Sequence, residues 1–260
     1  MKIALVQFKT EKEKQKNINK AICFIQKAAA KKAKLVLFPE AFLSYIKKSE
    51  DIFLQAEEIK GSTVKLFMQQ AKELKIAILL GSVYEKTKRT KKVYNTSLLI
   101  SDSGKILSKY RKRNLFLACI NGKKIDESKY ISSGTSLTTG KIENFKFGFS
   151  ICYDLRFADM YAKYRSKDVN VFLVPSAFTK VTGQKHWEVL LRARAIENGS
   201  YVLAPNQVGT SGQGIALHGN SMVVDPSGKI LKKGSGHKEE MFYVELNLKE
   251  LEKIKKILPR

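Results

Sequence analysis

The sequence predicts an α/β domain whose sheets are covered by helices, and three observations point there. Short apolar runs rich in β-branched residues alternate with amphipathic stretches along the whole chain, the pattern of strands and covering helices in turn. At 260 residues with 43% hydrophobic side chains, the chain can bury one large core. No repeat, linker or low-complexity segment breaks the alternation, so residues 1–260 are expected to form a single domain.

Each element has its own signal. KIALVQF (Lys2 to Phe8) reads as a strand, Asn17 to Ala33 as an amphipathic helix, and KLVLF (Lys34 to Phe38) as a buried strand stopped by Pro39, with Glu40 directly after it. Ser62 to Lys75 reads as a helix capped by Ser62 or Thr63, and Lys75 to Glu85 as a strand. VYNTSLLIS and KILSKYR flank Asp102-Ser103-Gly104, a hairpin by its turn residues. Arg111 to Ser136 reads as an irregular polar loop. A strand from Phe145 to Cys152, a helix from Leu155, a strand from Val169 to Pro175, a helix from Lys185 to Asn198 and a strand from Ser200 follow. A hairpin around Pro226-Ser227-Gly228 and a short helix from Leu248 to Ile257 complete the pattern.

Composition excludes several function classes. No stretch approaches the ~18 consecutive apolar residues of a membrane helix, and the N-terminus turns charged too early for a secretory signal. The chain therefore reads as soluble, unexported and cytoplasmic, without a membrane partner. Three cysteines, Cys23, Cys119 and Cys152, form no disulfide framework and no C-x-x-C pair. Cys23 is expected in the core of its helix and Cys119 in a loop. His186, His218 and His237 lack the spacing of a zinc site, so no metal is expected. The formal charge of +24 could draw polyanions, but the excess lysine carries no interleaved aromatics and no nucleic-acid motif. A solvated basic surface is the preferred reading, with no specific nucleic-acid partner. GTSGQG (Gly209 to Gly214) is not G-x-G-x-x-G and precedes strand sequence, so it reads as a turn.

Functional groups collect where strands end, because the strand fixes the group while the loop leaves it accessible. Three segments share this form: LVLFPE ending at Glu40, SKYRK at Lys112, and FGFSIC at Cys152. Singly, each has a plain structural reading, as turn acid, surface cation and small core thiol. Together they could bring a carboxylate, an ammonium and a thiol to one place.

FPEAF (Phe38 to Phe42), YRKRNLF (Tyr110 to Phe116) and SICYDLRF (Ser150 to Phe157) resemble the three signature regions of the nitrilase superfamily of carbon-nitrogen hydrolases. Glu127 to Lys129, Pro175 to Asn198 and Asn220 to Leu231 match further, in one order from first strand to last helix. Pro175 to Asn198 looks most like the Nit branch of small amidases, deaminated glutathione amidases and omega-amidases, and leans toward the former. No fused synthetase domain follows the last strand, so a glutamine-fed synthetase is not expected.

The resemblance implies a four-layer αββα sandwich that pairs through its outer helices as a homodimer. It implies Glu40 as general base and acid, Lys112 as oxyanion stabiliser, Cys152 as nucleophile and Glu127 as a supporting carboxylate. The implied reaction is hydrolysis of a small carboxylate-bearing amide to acid and ammonia through a thioester, with no cofactor. Deaminated glutathione leads as substrate and 2-oxoglutaramate follows; the reading of a different class is a silent binding protein with a basic surface. Tyr45, Asn114, Arg156 and Thr179 are expected around the substrate, with Arg156 either holding a carboxylate or pairing with Asp154. His186 and Trp187 read as packing and helix-start residues. Asn114 stands where the branch usually carries His, and the following LACINGKK is not its usual acidic run, which bears on substrate choice.

Overall fold

The structure is a computed structural model that describes residues 1–88, 90–120 and 122–257. The chain opens with β1 (Lys2–Gln7), α1 (Lys14–Ala30), β2 (Leu35–Leu37), the short α2 (Asp51–Gln55) and α3 (Ser62–Leu74). A meander of β3 (Ala77–Glu85), β4 (Tyr94–Ile100) and β5 (Ile106–Arg111) follows, then a hairpin of β6 (Leu117–Ile120) and β7 (Lys123–Asp126). Next come β8 (Thr139–Ile142), β9 (Phe145–Phe149), α4 (Ala158–Arg165), β10 (Val171–Leu173), α5 (Lys180–Asn198) and β11 (Tyr201–Ala204). The chain continues through β12 (Val208–Thr210), β13 (Ala216–His218), β14 (Met222–Val224), β15 (Ile230–Lys233), β16 (Glu240–Glu245) and α6 (Leu248–Ile257).

Two six-stranded sheets carry the fold, ordered β16-β1-β2-β3-β4-β5 and β15-β14-β11-β10-β9-β8. The period of two in a strand explains how they stack. In β1, Ile3 and Leu5 point between the sheets, where they join Leu37, Phe147, Phe149 and Leu203 in one buried cluster. Ala4 and Val6 point the other way, onto Ile18, Ala21 and Ile25 of α1 and Phe67 of α3. In the second sheet, Phe172, Val202 and Val224 face outward and are covered by Met160 and Tyr164 of α4 and by Trp187 and Leu191 of α5. The result is the expected four-layer αββα sandwich. Among the described residues, no helix is long and apolar enough to cross a membrane.

Several boundaries differ from expectation for identifiable reasons. The supposed loop after Arg111 contains the β6–β7 hairpin, which is hard to read because its four-residue strands LACI and KKID do not alternate apolar with polar, and Leu117 and Cys119 are exposed. The strand ending at Cys152 stops at Phe149, and Cys152 opens a 3-10 turn instead. The helix placed at Lys185 begins at Lys180, with Thr179 as its cap, and ends at Gly199 in the left-handed region. His186 is thus not at the helix start, while Trp187 is fully buried and donates from Nε1 to the Asn220 carbonyl at 2.8 Å. Gly61, not Ser62 or Thr63, stands at the α3 cap; the Thr63 hydroxyl donates to Glu57. Cys23 is exposed, because α1 buries its face at Ile18, Ala21, Ile25 and Ala28; Cys119 lies in β6, also exposed.

The inter-sheet layer should dominate stability. Phe147→Ala is expected to cost about 3–5 kcal/mol, whereas Leu54→Ala, at a side chain 83% exposed, should stay within about 0.5 kcal/mol. Urea midpoints at constant slope measure both, and equal losses would contradict this placement of the core.

Candidate active site

Glu40 is held by the end of β2 and by an irregularity in β3. The Phe38 N–H donates to Leu79 at 3.1 Å, and Pro39 then ends the pairing. β3 bulges between Leu80 and Val83, where Gly81 lets the two backbones touch; a Cβ there would stand 1.9 Å from the Phe38 carbonyl oxygen. The bulge turns Ser82 so that its hydroxyl accepts from the Ala41 N–H at 2.9 Å, while Ala41 itself adopts φ +48°. Gln207 Nε2 donates to the Glu40 carbonyl at 2.6 Å. Glu40 is thereby fixed with its side chain inside the protein, 4% exposed.

Lys112 comes from the end of β5. Its N–H donates to the Asn95 carbonyl at 2.8 Å and its carbonyl accepts from Gly134 at 2.8 Å, so its backbone is tied on both sides. The ammonium lies 3.0 Å from Glu40 Oε1 and 2.9 Å from Glu127 Oε2. Glu127 Oε2 also accepts from the Phe116 N–H at 2.7 Å. Glu40 has two further donors, Asn95 Nδ2 at 2.8 Å on Oε1 and the Ala177 N–H at 2.9 Å on Oε2. Burial would depress the Lys112 amine, but Glu127 and Glu40 hold it well above the usual lysine range. Burial pushes the Glu127 carboxyl up, against the pull of Lys112.

Cys152 reaches the same place from the second sheet. It follows β9 with φ +48°, a conformation costly for a residue with a Cβ, and its N–H donates to Pro175 at 3.0 Å. Asp154 holds this turn: Oδ2 accepts from the Ile151 N–H at 2.9 Å and from the Tyr110 hydroxyl at 2.7 Å. Oδ1 accepts from the N–H and Nδ2 of Asn114 at 2.8 and 2.9 Å. One carboxylate therefore ties the cysteine turn to the strand and loop that carry Lys112. Burial pushes the thiol well above its ordinary value and the Glu40 charge adds to this, while Lys112 and the Ala177 N–H oppose it.

Glu40, Lys112, Glu127 and Cys152 thus line one cavity of about 120 Å³. A second space of about 310 Å³ adjoins it, and the two share Ala41, Tyr84, Phe116, Glu127, Ala177 and Thr179 as walls. Tyr45 lies in the outer space and Thr179 at the junction, whereas Arg156 lines the inner cavity. Arg156 does not pair with Asp154, whose oxygens are taken; its guanidinium stands 3.3 Å from His186 Nδ1 and 5.4 Å over the Phe178 ring. Asn114 lines neither space, because its side chain is committed to Asp154. Asn95, Tyr84 and the Ala177 N–H were not anticipated from sequence. A signal existed for the first: Asn95, Thr96 and Ser97 are polar residues inside a strand, and all three are buried.

Comparisons with known proteins bear on the fold and the family of the chain. The family model described as "Carbon-nitrogen hydrolase" matches residues 2–256. The chain is 35% identical to a deaminated glutathione amidase of Dictyostelium discoideum, over 99% of this chain and 91% of that protein. It is also 35% identical to the human omega-amidase NIT2, over 99% of this chain and 92% of that protein. The crystal structure of Saccharomyces cerevisiae Nit3, a member of branch 10 of the nitrilase superfamily, superposes with a TM-score of 0.90 at 33% identity, covering 100% of this chain and 94% of that one. A family match across nearly the whole chain, with relatives 35% identical over 99% of it, makes this protein a member of the carbon-nitrogen hydrolase family, a hydrolase of carbon-nitrogen bonds other than peptide bonds.

Proposed function

We propose that this protein is a cysteine-dependent amidase acting on a small carboxylate-bearing amide, deaminated glutathione or a close analogue, with an omega-amide such as 2-oxoglutaramate as the second candidate. The observation that carries it is the buried cluster of Glu40, Lys112 and Glu127 beside a thiol whose ionisation burial suppresses. A thiol held protonated needs a base, and of the two carboxylates that line its cavity Glu40 is the one whose charge acts more strongly on the thiol.

In this reading, Glu40 takes the Cys152 proton as sulfur attacks the amide carbon. The developing oxyanion meets the Lys112 ammonium and the backbone N–H after Cys152. Collapse breaks the carbon–nitrogen bond, Glu40 returns the proton to the leaving nitrogen, and a thioester remains. Water, deprotonated by Glu40, then adds to the thioester, and sulfur leaves with the proton. Glu127 is a positioning residue: it fixes the Lys112 ammonium and anchors the chain at Phe116. Arg156, the cation of the inner cavity besides Lys112, supplies the chemistry to hold a substrate carboxylate. Tyr45 and Thr179 would contact the rest of the substrate, and the Asn114 position would act through Asp154.

The same reading extends to assembly and place. Val181, Val189 and Ile196 are 50%, 65% and 46% exposed on α5, and spacings of eight and seven put them on one stripe. That stripe supports a homodimer through the outer helices. Free thiols at Cys23 and Cys119 accord with a reducing cytoplasmic setting.

Cys152→Ala and Glu40→Gln are each expected to lower kcat at least ~10³-fold on amides of short dicarboxylic acids, read as released acid together with released ammonia or amine. Mutant turnover at the wild-type rate would remove the thiol mechanism. Lys112→Gln should abolish turnover and also destabilise the fold by about 3 kcal/mol, since it strands the buried Glu40 and the partly buried Glu127 carboxylates. Alkylation of Cys152 by iodoacetamide, followed by peptide mapping to separate it from Cys23 and Cys119, should be slow at neutral pH. Because the thiol is pushed up, the rate should still be rising through pH 9. A plateau below pH 8 would contradict the buried, protonated thiol.

A further inference from the structure

Tyr84 stands at the junction of the two spaces, in the wall of both, and no role has been assigned to it above. Its backbone is pinned in β3, with its carbonyl accepting from Glu57 N–H at 3.1 Å, and its ring packs against the small apolar cluster of Ile52, Val93 and Ile131. The four most deeply buried tyrosines each donate their hydroxyl within the protein: Tyr110 to Asp154, Tyr161 to Ser150, Tyr164 to Phe149 and Tyr201 to Asn247. Tyr84 does not; among the described residues its hydroxyl has no protein partner, and it is not sealed from the cavity space. A rigidly placed phenol without a partner is a donor awaiting an acceptor. Burial, and then the charges of Glu127 and Glu40, push that phenol up, so the proton stays on it across the working range.

The surroundings define the acceptor. With Arg156 taken by the acid portion of the substrate in the amidase reading, Glu40 and Glu127 against Lys112 are the charges that act on Tyr84 and leave one negative charge in excess there, which disfavours a second carboxylate and leaves a neutral carbonyl as the suitable partner. Position defines which part of the substrate carries it. Arg156, Cys152 and Lys112 line the inner cavity and not the outer one, so an acid portion anchored at Arg156 and attacked at Cys152 lies inside. What projects past Tyr84 into the outer space is the substituent on the amide nitrogen. The inner cavity of about 120 Å³ is smaller than the ~300 Å³ at which ligand pockets for larger molecules begin, and the outer space of about 310 Å³ reaches it.

We infer that Tyr84 is a specificity-determining residue whose hydroxyl donates to a neutral carbonyl on the leaving side of the substrate, so that secondary amides with a peptide-like amine are preferred over N-alkyl amides of the same size. This rests on the amidase reading. The hydroxyl exchanges no proton in the reaction; it selects, because an alkyl substituent leaves it desolvated and unpaired.

The test compares wild type, Tyr84→Phe and Cys152→Ala on three amides of one short dicarboxylic acid: the primary amide, the amide of glycinamide, and the N-alkyl amide matched to it in length. Wild type should favour the glycinamide derivative over its alkyl match in kcat/KM, and Tyr84→Phe should reduce that ratio ~10-fold or more. A purely structural role would lower both rates and the thermal midpoint together and leave the ratio at its wild-type value, which overturns the inference. Turnover of the primary amide alone by wild type overturns it as well, while the amidase reading stands. Unchanged turnover by Cys152→Ala would bring down that reading, and this inference with it.

Discussion

The Lys112 ammonium is 1% exposed, and removing it from water costs several kcal/mol that Glu40 at 3.0 Å and Glu127 at 2.9 Å offset. Those carboxylates in turn need every donor around them: Asn95 and the Ala177 N–H for Glu40, the Phe116 N–H for Glu127. The cluster is net negative, which makes a neighbouring thiolate unfavourable. Burial is the larger cause that keeps the cysteine protonated, and the negative charge of Glu40 adds to it, which is the situation in which a neighbouring carboxylate can serve as the base of the proposed reaction. In the proposed reaction the Lys112 ammonium meets the charge that develops on the substrate oxygen.

Such a cluster works only if its members keep their separations, and they come from different sheets. Glu40 and Lys112 belong to the ends of β2 and β5 in one sheet, Cys152 to the end of β9 in the other. The layer of Leu37, Phe147, Phe149 and Leu203 between the sheets therefore acts as the spacer of the site. Asp154 adds a direct tie, because its four hydrogen bonds join the cysteine turn to Tyr110 and Asn114 on either side of Lys112. The left-handed backbone at Cys152 and at Ala41 is tolerated because those surroundings over-determine it.

The α/β alternation and the strand-end positions of Glu40, Lys112 and Cys152 were legible in the sequence because apolar periodicity and strand termination are local signals, whereas the four-layer arrangement and the joining of the three into one site rested on the resemblance of FPEAF, YRKRNLF and SICYDLRF to a family. What stayed hidden was relational. The short strands LACI and KKID of the β6–β7 hairpin carry no apolar/polar alternation to announce it, and the partner of Asp154 could not be read from its neighbour Arg156, since Asn114 and Tyr110 arrive from 40 and 44 residues away. Cys23 misled for a different reason: helix α1 is apolar over more than its buried face, so hydrophobicity at one position did not decide its direction. Tyr84 had no signal at all, because an aromatic residue in a strand is ordinarily core. Its interest arises only from the space its hydroxyl faces.

The remaining alternative, a protein that keeps this architecture solely to bind through its basic surface, conflicts with the energetics of the interior. A buried cluster with excess charge is often less stable than apolar side chains of similar volume in the same place. The strained backbone at Cys152 adds a further cost that no packing requirement imposes. Binding through a surface of a chain with formal charge +24 depends on neither feature, since most of its lysines stand at exposed or half-exposed positions along the whole chain. Desolvated charges, a strained thiol and an unpaired phenol all converge on two joined cavities. Costs concentrated in that way are what catalysis, and not surface binding, would maintain.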